Sequence, residues 1–316
     1  MVKYIFKRLG SMVVILLIVS LFIFSIVYLI PGDAATAVLG MEASAEDIAN
    51  FTARMGLDQP LWVQYGRWLG GILTGDFGDS IFMRRPVLEA IGEHLPPTVS
   101  LAIFAQLIAL FLSLPAGIVA AYKKNTALDK GVLFFTLLGT VFPSFLLALF
   151  LMLFFSVQLM WFPVAGYSRL ENGLWEHLRF LFLPALSLGI AQSALITRMT
   201  RASLLEVLHT SYIKTARAKG LREGKVVMKH ALKNAGLPII TTIGQSFSVL
   251  ITGAVVIESL FAIPGIGRLI LNSISRRDLP IIQGIVLVVT VFYVVINIII
   301  DLLYGAIDPR VRLDKE

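Results

Sequence analysis

The sequence predicts an all-α polytopic membrane protein with six transmembrane helices, and three observations predict it. The first is composition: of 316 residues, 57% are hydrophobic and 15% charged, with mean hydropathy +0.84. A soluble domain carries about 25% charged residues. The second is that the apolar residues are gathered. Uncharged runs lie at 9–32, 131–168, 180–197, 234–257 and 279–300, and His94 and Lys123 bound another at 95–122. About 20 apolar residues cross a bilayer, so six spans is the economical count. The run 131–168 is too short for two helices plus a turn and holds Pro163 and Gly166. The third is segregation of cations. With the N-terminus inside, residues 1–8, 123–130, 198–235 and 307–316 face the cytoplasm and hold 3, 3, 9 and 3 of the 27 Lys and Arg residues. The outer segments 33–94, 157–179 and 258–278 hold 4, 2 and 3. This is the positive-inside pattern, and it puts both termini in the cytoplasm. The net charge of +7 and pI near 9.7 therefore reflect topology, and a nucleic-acid partner is not expected.

Span 1 (about 9–30) is rich in Val, Ile, Leu and Phe and follows Lys3, Lys7 and Arg8. It is longer than the 7–15 residues of a signal-peptide core, and an uncleaved anchor is expected. Pro31-Gly32-Asp33 makes a turn into the sizeable outer insert, 33–94. Within it, 43–55 has helical periodicity, Asp76 and Asp79 lie near Gly75 and Gly78, and a short helix follows Arg85-Pro86-Val87. A calcium loop is disfavoured there, because the alternating acids and closing Glu of an EF-hand are missing. Span 2 (about 98–122) should start at Leu95-Pro96-Pro97-Thr98, with proline in the first turn. Span 3 (about 131–157) should kink at Pro143-Ser144. Trp161 and Tyr167 fall where an outer aromatic belt belongs. Span 4 (about 180–197) begins with Pro184 and continues as helix past Arg198 and Arg201.

The segment 212–234 then places seven cations (Lys214, Arg217, Lys219, Arg222, Lys225, Lys229 and Lys233) between two apolar runs. Gly220 followed by Leu221 reads as a helix stop with positive φ. A second short helix is expected from near Arg222 to Asn234, giving two short helices and a bend at the membrane surface. A plain reading is that these cations only hold a loop inside and touch anionic headgroups. Span 5 (about 237–257) carries Thr241, Gly244, Gln245, Ser248 and Thr252 on one helical face. Such a small, polar stripe suits close helix packing or the lining of a pathway. Next comes Glu258-Ser-Leu-Phe261-Ala-Ile-Pro264-Gly265-Ile-Gly267, read as a tight outer turn. It is no phosphate loop, because a third glycine and a preceding strand are missing. Span 6 (about 281–303) ends near Asp301, ahead of Asp308-Pro309-Arg310.

These phrases carry a resemblance. Tyr212-x-x-Thr-Ala-Arg-Ala-Lys-Gly220-Leu, followed by His230-Ala-Leu-x-Asn-Ala and Leu237-Pro238, resembles the cytoplasmic EAA loop of ABC-importer permeases. Lys214 and Thr215 stand where the general form has Glu and Ala, and Leu-Pro comes later. Both departures are what the dipeptide/oligopeptide/nickel branch shows. The outer phrases at Leu57–Leu61, Gly75–Ser80, Arg85–Val87 and Glu258–Gly267 and the closing Asp308–Arg310 are similar to that branch too. Ala34 departs from its usual second proline.

The resemblance implies a type I ABC-importer permease fold in a bacterial or archaeal cytoplasmic (inner) membrane. It implies a second, related permease, two cytoplasmic ABC ATPases and an external solute-binding protein as partners, besides membrane lipid. Thr215, Ala216, Arg217, Ala218, Lys219, Gly220 and Leu221 would couple to an ATPase. Peptides are the first expected cargo, with nickel or a metal chelate as the alternative. On this reading 1–97 forms an anchor plus external subdomain, and 98–316 a five-helix core with its coupling loop at 198–235.

The chemistry missing from the sequence agrees. Gly224-Lys225 lacks the rest of a P-loop, so no cofactor is expected on this chain, and ATP and Mg would sit on partner ATPases. No His-Glu-x-x-His or Gly-x-Ser-x-Gly occurs. The four histidines (His94, His177, His209 and His230) are dispersed and cysteine is absent, so no metal site and no enzyme is expected. A self-powered secondary transporter or channel is the rival class. It usually needs ionisable groups at mid-membrane, and Glu258 and Asp301 lie near span ends.

Overall fold

In the computed structural model, residues 2–29, 44–55 and 58–307 are described. The Pro31-Gly32-Asp33 turn, Ala34, Leu57 and the closing Asp308-Pro309-Arg310 lie outside them. Twelve α-helices are named here: α1 (Val2–Leu29), α2 (Ala45–Met55), α3 (Leu61–Leu73), α4 (Val87–Tyr122), α5 (Ala127–Val141), α6 (Ser144–Leu151), α7 (Leu174–Leu208), α8 (Ser211–Ala218), α9 (Leu232–Gly253), α10 (Val255–Leu260), α11 (Ile266–Ser275) and α12 (Leu279–Ile307). No β-strand occurs among the described residues. Four helices are long and apolar enough to cross a membrane: Val87–Tyr122, Leu174–Leu208, Glu223–Thr252 and Leu279–Leu302. The pair α5–α6, with its π-helical extension to Gln158, meets the same test with a 99° bend, and α1 carries an apolar stretch at Gly10–Ser25. Five of the six expected spans thus lie on one helix each, and span 3 lies on the broken pair α5–α6.

Four boundaries differ from expectation. The helix expected to start at Leu95–Thr98 begins at Val87 and runs through Pro96 and Pro97. Proline removes a helical hydrogen bond to the fourth residue before it; those residues, Gly92 and Glu93, are exposed, so water can satisfy their carbonyls. The kink at Pro143 is a break. Phe142 is extended (φ −77°, ψ 122°) and Pro143 follows at ψ 137°, as sterics demand of a residue before proline. Helix α7 starts ten residues ahead of Pro184, which sits inside it. Lastly, the second short cytoplasmic helix does not end at Asn234. A turn at Glu223–Lys225 passes through a π-helical segment, Val226–Ala231, into α9, so it is the foot of span 5.

The chain divides into two compact units, Met1–Pro96 with Arg268–Val294, and Pro97–Gly267 with Val295–Glu316. In the first, α3 lies along α1. Phe24 packs edge-on to Tyr65 at 5.4 Å, and the Ser20 and Tyr65 hydroxyls are 2.8 Å apart. Asp278, 2% exposed, accepts from the Ser80 hydroxyl and from the backbone N–H groups of Ile81 and Phe82. The loop at 80–83 is thereby tied to the turn before α12.

In the second unit α7 is the hub, packed against α5, α6 and α9. One apolar core joins Leu101, Leu181, Leu188, Leu250, Phe261 and Ile300. Another, at the C-terminal end of α7, joins Leu204, Leu208, Ile213, Val226, Ala231 and Ile239. Small residues set the close approaches: a Cβ at Gly189 would lie 2.9 Å from the Ala105 carbonyl oxygen, and one at Gly117 2.7 Å from Thr200. Small residues at helix crossings let membrane helices pack backbone to backbone. Outward apolar side chains are left bare, with Phe111, Phe135 and Val141 at 79%, 71% and 74% exposed. Such surface needs lipid or a partner helix to cover it.

Candidate functional site

The segment 198–235 forms one structured knob at the C-terminal end of α7. Helix α8 follows α7 after a two-residue turn and buries Ile213 (0% exposed) and Ala216 (9%) against Val226, Val227 and Ala231. Two buried positions three residues apart fix which face turns inward. Thr215, Arg217, Ala218, Lys219 and Gly220 stay exposed, and Leu221 is half-buried. The predicted stop holds: Gly220 sits at φ +76°, its N–H donating to the Arg217 carbonyl at 2.9 Å. The Leu221 N–H reaches back to the Ala216 carbonyl at 3.4 Å. This pattern closes a helix through a left-handed residue.

Three residues whose part in the knob is not legible in the sequence hold it to the foot of α9. Asn234 Nδ2 donates to the Tyr212 hydroxyl at 2.6 Å and to the His230 carbonyl at 3.3 Å, while the Tyr212 hydroxyl lies 3.4 Å from that carbonyl. Arg217 spans the Gly220 bend to Glu223, with Nε to Oε1 at 2.6 Å. Both members of that pair are about 41% exposed, so its value lies in shape more than in stability. No local spacing pairs Tyr212 with Asn234, 22 residues apart. The consequence is mechanical: α8 is braced to the long helix that carries the small-residue stripe.

That stripe divides. Gly244 and Ser248 point into the unit. A Cβ at Gly244 would meet Ile300 Cδ1 at 2.0 Å, and Ser248 is 3% exposed with its hydroxyl on the Gly244 carbonyl. Thr241 is half-buried, and Gln245 and Thr252 are exposed. Ser246, outside the predicted stripe, is buried and donates to Gln106 Oε1 on α4 at 3.0 Å. Trp at Ser248 is therefore expected to lower the amount of folded protein. Trp at Thr252 is expected to leave the amount intact and slow uptake by severalfold. Immunoblots with uptake assays check this; normal uptake in Thr252→Trp argues against a lining or interface role.

The turn after α10 is built around a buried carboxylate. Glu258 (0% exposed, on α10) accepts from the Thr98 hydroxyl at 2.6 Å, and Thr98 accepts from the Ile266 N–H at 2.8 Å. The Ile263 N–H donates to the Glu258 carbonyl at 2.8 Å, and Phe261 is 2% exposed. A Cβ at Gly265 would lie 2.3 Å from the Glu258 carboxyl carbon, and one at Gly267 would lie 2.6 Å from Val255 Cα. Pro264 precedes this crowded pair of glycines. The residues singled out from the sequence, Glu258, Phe261, Pro264, Gly265 and Gly267, thus share one tight structure. Thr98, its partner on α4, carries no signal in the sequence.

Comparison with known proteins agrees with this architecture. Residues 113–313 match the family described as binding-protein-dependent transport system inner membrane component, and residues 1–102 match the N-terminal part of that description. The chain is 40% identical to a dipeptide transport system permease protein of Alkalihalophilus pseudofirmus, over 99% of this chain and 100% of that protein. It is 41% identical to a glutathione transport system permease protein of Salmonella paratyphi A, over 99% of each. The fold is similar to a chain of the MetNI methionine ABC transporter in an inward-facing conformation, with TM-score 0.58 and 16% identity, covering 70% of this chain and 97% of that one. With family matches along nearly its whole length, the chain belongs to the binding-protein-dependent inner-membrane transport components and is a multi-pass permease subunit of an ABC importer.

Proposed function

We propose that this permease carries short peptides handed over by an external solute-binding protein, and that its residues Thr215–Leu221 seat on a partner ATPase. A second permease would complete the pathway, and ATP with Mg would be bound on two partner ATPases. The observation that carries the coupling role is the brace. Because α8 is fastened to the foot of α9 through Tyr212 and Asn234, a push on the exposed face of α8 is delivered to the stripe-bearing helix. Peptide cargo is supported by relatives about 40% identical over nearly full length that are a dipeptide and a glutathione transport permease.

The test is reconstitution with the neighbouring subunits and binding protein. ATP-dependent uptake of a labelled dipeptide is expected, and proteoliposomes holding this chain by itself should show none. Uptake by the chain without ATPases would replace the reading with a self-powered carrier. A metal chelate, rather than peptide, on the copurified binding protein would move the cargo to the alternative.

The orientation proposed here, with termini and α8 inside, is checked with single cysteines. Ser44→Cys should label from outside intact cells, and Lys225→Cys only after permeabilisation. Labelling of both from outside overturns it.

A further inference from the structure

Between the end of α4, the last turns of α7 and helix α8 lies a cleft of about 490 Å³. Its floor is apolar, from Ala121, Leu205 and Leu208, and its rim carries Lys123, Lys124 and Lys214. The acid on the rim, Glu223, is already taken by Arg217. Lys123 and Lys214 have no carboxylate at ion-pair distance among the described residues. Lys123 lies over the Tyr122 ring at 5.2 Å, and the lining keeps a net excess of cations, Lys123, Lys124, Lys214 and Arg217 against Glu223, over a greasy base.

The lysine wall is a built feature. Asn125 takes φ +66°, and its N–H donates to Asp129 Oδ2 at 2.9 Å, while the Thr126 hydroxyl donates to the Lys123 carbonyl at 2.6 Å. Asp129, 2% exposed, is in turn gripped by Arg201 of α7 through Nε at 2.6 Å and Nη2 at 2.8 Å. That ion pair pins the α4–α5 turn to α7, so the backbone that carries the two lysines is held across from α8. A bidentate guanidinium–carboxylate contact gives geometric definition as well as attraction.

We propose that this cleft holds the headgroup of an anionic phospholipid of the inner leaflet. The lysines would face its phosphate, and the apolar floor the glycerol and first methylenes. Basic pockets between helices on the cytoplasmic side suit such headgroups, with juxtamembrane cations each adding attraction to anionic lipid. A free phosphate shares the charge but gains nothing from Ala121, Leu205 and Leu208. The inference rests on the orientation proposed above, since α4 must end at the inner leaflet.

The experiment uses the chain with its partner subunits in nanodiscs of phosphatidylcholine, with and without phosphatidylglycerol. Native mass spectrometry should find phosphatidylglycerol retained, and it should raise the unfolding midpoint. The double variant Lys123→Gln/Lys124→Gln should weaken that retention about tenfold or more, leaving phosphatidylcholine unaffected. Wild-type retention in the double variant overturns the proposal. So does equal stabilisation by inorganic phosphate, which would mark a free-anion site. Loss of the ATPases on copurification with unchanged phosphatidylglycerol also overturns it, assigning the cleft to a protein interface. Thr126→Cys labelled from outside would instead sink the orientation; indifference to phosphatidylglycerol with inside labelling sinks the lipid site by itself.

Discussion

Gly220→Val is expected to leave the protein in the membrane and to uncouple it. At φ +76° a β-branched residue is strained by about 1 kcal/mol or more. A Cβ there meets no neighbouring atom within 4 Å, so the cost is conformational and local. The chain can relieve it by moving the Ala218–Leu221 turn out of the left-handed conformation. That re-aims the exposed end of α8 and pulls Arg217 away from Glu223, while Ile213 and the membrane helices keep their packing. Protein level and labelling topology should stay close to wild type, because the strain falls on an exposed turn and the buried packing at Ile213 and Ala216 is untouched. ATP hydrolysis stimulated by loaded binding protein should fall tenfold or more in the reconstituted complex. Unchanged stimulation, with unchanged copurification of the ATPases, would remove this segment from the transmission path. Tyr212→Phe, which deletes the hydroxyl that Asn234 meets at 2.6 Å, should give a smaller defect of the same kind.

Gly265→Ala should act on the amount of protein instead. The added methyl would lie 2.3 Å from the carboxyl carbon of Glu258, a group with no solvent exposure and a Thr98 hydrogen bond to lose. Overpacking of this kind costs about 1–3 kcal/mol, and displacing a buried carboxylate from its donor adds more. Most of the folded protein should therefore disappear on fluorescence-detected size exclusion. Gly236→Ala is the control, since a Cβ there meets nothing within 4 Å. Adding Glu258→Ala to Gly265→Ala removes the colliding group and should recover part of the lost protein. No recovery would mean that the turn fails for another reason, and that the carboxylate does not set the need for glycine.

Much of the fold was legible because bilayer physics acts on sequence directly. Uncharged runs of about 20 residues, bounded by cations on one side, require little tertiary information. They located the apolar helices, while the family branch was legible only through its resemblance at phrases such as Thr215–Leu221 and Leu237-Pro238. The Gly220 stop was legible for the same reason, since a left-handed residue after a helix leaves a local signature. Boundaries fared less well where a helix could extend outside the membrane. Nothing local told that Pro96 and Pro97 would sit inside α4, or that Glu223 to Asn234 would merge into span 5 through a π turn.

The sequence by itself determined the class, the apolar helices, the helix stop at Gly220 and the tight turn after Glu258. Hydropathy, charge placement and backbone sterics are properties of neighbouring residues along the chain. Only the tertiary structure decided which groups meet across long separations: Asn234 with Tyr212, Arg201 with Asp129, Thr98 with Glu258 and Asp278 with Ser80. It also split the stripe of α9, turning Ser248 inward and Thr252 outward. Side chains three or four residues apart share a helical face, but how far a neighbouring helix covers that face depends on the crossing. That is set by contacts such as Gly244 with Ile300, whose 56-residue separation leaves no periodic trace.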